Sequence, residues 1–203
     1  MKNRLSFQGM PVSSGLIAAS LRNYANPDAK IERMAKNGEL IRLRRDLYMD
    51  TASGPVNAFL AANYILAPSY VSGLSALWFY GIIPEYVYDT ISMTTKRAVS
   101  FNNELGKFSY VRCPEEYFPI GITKATQNGS TFLVAGKEKA LSDLILMTPN
   151  LNLRYRKEIL IWLEDDMRMD MDILSKMNLD ILEQCAETGR KRTMLKQIIK
   201  IFK

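Results

Sequence analysis

Six basic side chains in the first fifty residues have the types and spacing to hold phosphate. Lys30, Arg33 and Lys36 recur every third residue, and Arg42, Arg44 and Arg45 crowd a charged turn. Arginine presents a rigid fork of donors that matches phosphate oxygens, and side chains three apart on a helix are surface neighbours. Plainer roles compete. Arginines on a hairpin also keep edge strands from pairing with foreign sheets. Lys30, Arg33 and Lys36, with Asp28 and Glu32 among them, also suit a solvated helix face.

Positioning these groups takes two helices and a hairpin. Ser13 and Ser14 offer a helix cap, and Leu16, Ile17, Leu21 and Tyr24 recur at roughly helical spacing, which predicts a helix over 14–24. Asn26-Pro27 is a second start signal, a capping side chain followed by a proline that fits the first helical position. Ile31, Met34 and Ala35 then form an apolar stripe that stops at Asn37-Gly38. Leu40, Ile41, Leu43, Leu47 and Tyr48 bracket the charged turn and predict a hairpin with a basic tip. Two short helices and such a hairpin make a winged helix-turn-helix over residues 1–52, its second helix reading the major groove and its wing touching the backbone. Used purely for protein docking, the same module would be an adaptor with no sequence-specific DNA binding.

Charge and composition narrow the alternatives. The chain of 203 residues carries a formal net charge of +6, with nine Lys/Arg against five Asp/Glu in residues 1–50, seven against seven in 51–150, and eleven against nine in 151–203. A basic balance concentrated at the two ends favours phosphate-rich partners. There is no histidine, and Cys113 and Cys185 lie 72 positions apart, so the usual Cys/His zinc sites and the Ser-His-Asp and Cys-His catalytic arrangements cannot be assembled. A nucleotidyltransferase needs paired carboxylates about ten residues after a Gly-Ser turn, to hold the metal that carries the nucleotide. Gly129-Ser130 has none, and Asp170-Met-Asp172 reads as a helix cap. Gly136-Lys-Glu-Lys-Ala lacks nuclease spacing, with Glu138 favourable near a helix start, and no Walker-type phosphate loop occurs. The expectation is a protein with no catalytic residues, metal or cofactor. No apolar run approaches the ~20 residues of a membrane span and the polar opening lacks a secretory signal, which predicts a cytoplasmic protein without a membrane partner.

Residues 53–203 read as a larger α+β domain. Helices are predicted over 56–66, from Ser72 as cap to Gly81 and Pro84, over 136–147, 154–163 and 171–177, and from about 179 or 188 to 202. Strands are predicted over 90–94, 107–112 and 131–134, forming a small, mostly antiparallel sheet. Met167, Met169, Met171 and Met177 read as core filling. Secondary phosphate contacts are open to Lys96 and Arg97 after a strand and to Arg190, Lys191, Arg192 and Lys196 on the last helix. Lys137 and Lys139, at a helix start, suit either contact with phosphate or a partner protein, or plain solvated surface. The basic tail from Arg190, with Leu195, Ile198, Ile199 and Phe202 on one face, suits docking on the domain, association with a second chain, or an anionic membrane; docking takes the fewest assumptions.

The run Ile31-Glu-Arg-Met-Ala-Lys-Asn-Gly-Glu-Leu-Ile-Arg-Leu-Arg-Arg-Asp-Leu-Tyr-Met49 resembles the signature of the AbiEi-type antitoxin and repressor family. That signature is a helix, a glycine, a basic strand and a wing ending in Leu-Tyr. Members usually have glycine where Asp46 stands; aspartate tolerates the left-handed conformation of a tight turn. Tyr70-Val-Ser-Gly-Leu-Ser-Ala-Leu-Trp-Phe-Tyr-Gly-Ile-Ile-Pro84, Ile91-Ser-Met-Thr-Thr-Lys-Arg97 and Gly136-Lys-Glu-Lys-Ala-Leu-Ser-Asp143 are similar to further family blocks in the same order, so the resemblance spans about residues 10–147. It implies a cytoplasmic bacterial antitoxin of a phage-defence, abortive-infection type operon, whose winged helix represses transcription at double-stranded operator DNA with inverted repeats. It also implies a nucleotidyltransferase-like toxin as functional partner, with no stable complex between the two assumed.

Overall fold

The computed structural model describes residues 6–203. A short strand β1 (Val12–Ser13) leads into helix α1 (Ser14–Ser20), whose start is capped by the Ser13 side chain accepting the Leu16 N–H at 3.2 Å. The helix is shorter than predicted. It ends at Leu21 and the chain continues as turns to residue 25, through asparagine-bearing sequence that competes poorly for helix. Helix α2 (Pro27–Lys36) starts where Asn26-Pro27 placed it, with the Asn26 side chain accepting the Ala29 N–H at 3.0 Å. Beyond Asn37, Gly38 takes the left-handed φ of +71° that closes a helix and frees the chain to reverse.

Strands β2 (Leu40–Arg44) and β3 (Leu47–Asp50) form the expected hairpin, and β1 adds an unforeseen third strand, giving an antiparallel sheet in the order β1-β3-β2. Alternation along the hairpin splits its side chains between two cores. Leu40 and Tyr48 join Val12, Ile17, Leu21, Ile31 and Met34 in a small cluster with α1 and α2. Leu47 and Met49 point into the larger core, joined by Leu43 at the bulge where the register shifts between Arg42 and Arg44. The Asn103 side chain donates to the Leu43 carbonyl at 2.9 Å from the larger body.

The rest is α+β, and its sheet differs from expectation. Six strands run in the order β6-β7-β5-β4-β9-β8: β4 (Ser69–Val71), β5 (Thr90–Thr94), β6 (Val99–Asn103), β7 (Gly106–Arg112), β8 (Ile122–Gln127) and β9 (Ser130–Ala135). It has six strands where the sequence predicts three, and it is mostly antiparallel as expected: β4–β5, β6–β7 and β8–β9 pair antiparallel, while β4 lies parallel to β9 and β5 parallel to β7. Helices α3 (Ala58–Ile65), α4 (Gly73–Phe79) and α5 (Lys137–Met147) pack on it, and Phe59, Phe79 and Phe132 meet edge-to-face with centroids 5.3–5.9 Å apart. Helix α6 (Arg156–Ile161), a π-helical turn (Trp162–Asp166), α7 (Met171–Leu174), α8 (Leu179–Thr188) and α9 (Arg192–Phe202) complete the layer. The single last helix left open by the sequence is two, interrupted at Gly189. Met169 and Met177 are buried and Met167 and Met171 pack partly buried against them, as core-filling methionines do. Helix α9 buries Met194, Leu195, Ile198 and Ile199, so the basic tail docks on its own chain.

The hairpin is anchored at its base by Asp50, which is 1 % exposed and accepts the Phe7 N–H at 2.8 Å, the Ser53 N–H at 2.9 Å and the Ser53 hydroxyl at 2.8 Å. Burial works to raise this carboxyl, but the hydrogen bonds from Phe7 and Ser53 outweigh it and hold the group below its ordinary value of 3.8. A carboxyl depressed in the folded state adds stability above its unfolded value, and that stability is lost as pH falls through the folded value. Asp50→Asn is therefore expected to cost stability near pH 6, with the gap to the parent chain narrowing below about pH 4. Urea unfolding at both pH values checks this; a gap that widens in acid would contradict it.

Candidate nucleic-acid interface

Helix α2 turns Ile31 and Met34 inward, and this places Arg33 and Lys36 on the exposed side. Lys30 sits at the flank, half-buried, its ammonium 5.6 Å from the centre of the Tyr24 ring. Three residues separate α2 from β2, where Arg42 and Arg44 are exposed on either side of buried Leu43. The Arg42 guanidinium lies 6.0 Å from the Tyr48 ring centre. Arg45 stands at the tip with its side chain 89 % exposed, and an exposed 3.6 Å contact with Asp46 holds it only weakly.

Asp46 adopts φ +60°, the left-handed conformation that the turn requires. Its carbonyl accepts the Ser14 N–H at 3.1 Å and its carboxylate the Ser14 hydroxyl at 3.4 Å, tying the hairpin tip to the start of α1. The tip is thus short and braced. Arg33, Lys36, Arg42, Arg44 and Arg45 are solvent-facing cations carried by two consecutive elements of one small unit.

The secondary candidates are dispersed. Lys96 and Arg97 are exposed where β5 passes to β6, at the opposite end of β6 from Asn103, which is about 20 Å along an extended strand. Arg190 is exposed, and Arg192 lies 3.8 Å from Glu187. Lys196 is exposed beside a cleft that also holds Glu183 and Glu187. Lys191 is half-buried and donates to the Thr148 carbonyl, which takes up its ammonium.

Lys139 corrects the sequence expectation outright. Placed by spacing among surface lysines, it has no exposed area and forms the centre of a buried polar cluster. Its ammonium donates to the Tyr117 carbonyl at 2.8 Å, lies 3.0 Å from the Tyr117 ring centre, and sits 3.5 Å from the Asp143 carboxylate one helical turn on. Asp143 also accepts the Ser72 hydroxyl at 2.6 Å and the Tyr117 hydroxyl at 2.7 Å. Ser72 does stand at the start of α4, but its hydroxyl makes no cap because it is committed to Asp143. Gly121 allows this packing: at φ +63° it would carry a Cβ 3.0 Å from that of Lys139.

Burial pushes the Asp143 carboxyl up and the Lys139 ammonium down from their ordinary values, each opposed by the other's charge. The Cys113 thiol is pushed up to about 11, by burial first and then by Asp143, and Cys185 is raised by burial too. Both cysteines are therefore thiols rather than nucleophilic thiolates at neutral pH. Ser72, Tyr117, Lys139 and Asp143 have residue types used in catalysis, but none has exposed area and a substrate has no access to them. Two blocks separated in sequence, from Tyr70 and from Gly136, meet here. The signal available in the sequence was the i, i+4 spacing of a lysine and an aspartate, with Asp143 set among the apolar Leu141, Leu144 and Ile145.

Among the described residues no group of three or more His, Cys, Asp or Glu side chains is placed to hold a metal ion, and no helix is long and apolar enough to cross a membrane. Compared with known proteins, the chain matches no family model and none of the curated proteins.

Removing one partner of a buried pair strands the other's charge. Asp143→Ala is expected to destabilise by about 3–5 kcal/mol, whereas Lys139→Met combined with Asp143→Leu should cost less than that single change. Urea denaturation of the three chains checks the order; equal losses for the single and double variants would show that packing, not charge, dominates.

Proposed function

We propose that this chain is a DNA-binding transcriptional repressor whose first 52 residues act as a winged helix-turn-helix on double-stranded operator DNA. The observation that carries this reading is the joint exposure of Arg33 and Lys36 on α2 with Arg42, Arg44 and Arg45 on the hairpin that follows. Helix α2 would enter the major groove with Arg33 facing base edges, while the hairpin arginines would hold flanking phosphates and set register. A braced hairpin suits that role, because donors already fixed in place lose little freedom when they engage phosphate.

The second half of the proposal is an antitoxin role against a nucleotidyltransferase-like toxin in a phage-defence operon. Its support is the resemblance of the four ordered blocks to the AbiEi-type family. The protein is proposed to be cytoplasmic and non-enzymatic, with residues 53–203 carrying the antitoxin role. Lys96, Arg97 and the exposed basic groups of α9 would supply any further phosphate contacts.

Fluorescence titration of the chain against its own upstream DNA and a scrambled duplex, at two salt concentrations, tests the DNA-binding half. Selective binding that weakens steeply with salt is expected, because each neutralised phosphate releases counterions. Equal, weak and salt-insensitive binding to both duplexes would instead favour the docking-adaptor role. Arg44→Ala with Arg45→Ala should weaken binding to every sequence and lower the salt slope by about 2, whereas Arg33→Ala should also relax sequence preference. Unchanged operator affinity in the double variant would remove the hairpin from the interface.

A further inference from the structure

A cavity of about 480 Å³ opens between α4, the segment 83–89 and the π-helical turn. Its floor is apolar, made by Leu74, Ile83, Ile91 and Met167, and its volume lies within the ~300–1,000 Å³ typical of sites that bury a small ligand. Tyr88 and Tyr86 stand at the wall, 85 % and 60 % exposed, with ring centres 4.9 Å apart. Tyr86 in turn meets Trp78 edge-to-face at 5.0 Å, so the exposed rings are held in a stack rather than left free. Exposed aromatic rings held in place beside an apolar hollow are the residue types that anchor protein interfaces.

The rim decides what kind of partner fits. Glu85, Asp89 and Asp166 line the cavity. The first two are matched by Arg168 at 2.9 Å and Lys107 at 2.7 Å. Asp166, with Glu164 and Asp165 on the same turn, is exposed and has no ion pair among the described residues. On a chain with net charge +6 this is a local excess of negative charge, which repels phosphate and attracts cations. It shares no residue with the proposed DNA-binding surface.

We propose that this groove docks a segment of a partner protein that offers aliphatic side chains flanked by lysine or arginine. The aliphatic groups would fill the hollow over Met167 and Leu74 against the Tyr88 ring, and the flanking cations would face the Glu164–Asp166 turn. Attraction of opposite charge sets the orientation, while burial of the apolar side chains supplies most of the affinity.

The test uses the full chain labelled with 13C at its methionine methyl groups, with the Met167 signal assigned by its loss in Met167→Leu. The probe is an 18-residue amphipathic peptide of leucine and lysine, with a leucine and glutamate peptide as its charge-reversed control. The lysine peptide is expected to shift the Met167 signal in a saturable way and the glutamate peptide to leave it unmoved. Tyr88→Ala and Asp166→Lys, both exposed positions, should each weaken the lysine peptide at least tenfold. The proposal is overturned if neither or both peptides move Met167, or if the two variants bind as the parent does. It is also overturned if the Met167 signal shifts with protein concentration alone, which would assign the groove to a second copy of this chain.

Discussion

A lysine and an aspartate with no contact with water impose the strictest constraint in this molecule. Taking two such charges out of solvent costs several kcal/mol per ion, and their attraction offsets that only where geometry is good and the remaining lone pairs and protons are occupied. Lys139 and Asp143 meet the condition by drawing on two distant residues and on their own helix. These are the Ser72 hydroxyl at the β4–α4 junction, the Tyr117 hydroxyl and carbonyl in the loop before β8, and the backbone of α5 that spaces the two groups one turn apart. A slip of α5 by one residue would strand both charges, so the cluster fixes how helix, sheet and loop register with one another. Apolar packing around it tolerates small shifts that this network does not.

The small amino-terminal unit depends on a different device. The β2–β3 hairpin gives one face to α1 and α2 and the other to the larger core, and it is held at three points. Asp50 binds its base to Phe7 and Ser53, Asn103 grips the carbonyl of Leu43, and Ser14 grips the tip at Asp46. The arginines therefore project from a strand pair whose position is set on both sides. In the proposed DNA-binding role, such a surface would meet a phosphate backbone with its spacing already chosen, which favours a defined register over a flexible grip.

What could be read in advance follows from how local the cause is. The caps at Ser13, Asn26 and Asp170 act within three residues, and all three side chains accept a backbone N–H from the first turn of the helix they start. The arginine-bearing hairpin was equally legible, because alternation and a charged turn are short-range signals. Strands β6 and β8 were not, since both are sheet edges with most side chains exposed and lack the alternation that marks a half-buried strand. Strand β4 failed for the opposite reason: all three of its residues are buried, so it has no polar face to alternate with. Lys139 shows the limit most clearly. Its fate was decided by Tyr117 and Ser72, tens of residues away, and composition gave it the same standing as exposed Lys137.

The divided loyalty of the hairpin bears on how portable the basic unit is. Severed after residue 52, it would lay bare Leu43, Leu47 and Met49, three buried side chains that now lie against the larger body, as one hydrophobic strip beside a free strand edge. Conversely, the body without its first fifty residues would lose the wall that closes this part of its core. The two regions thus have separate charge characters but a shared fate in unfolding: heat or denaturant should take them down in one cooperative step, and exchange between genes would be expected to move them as a block.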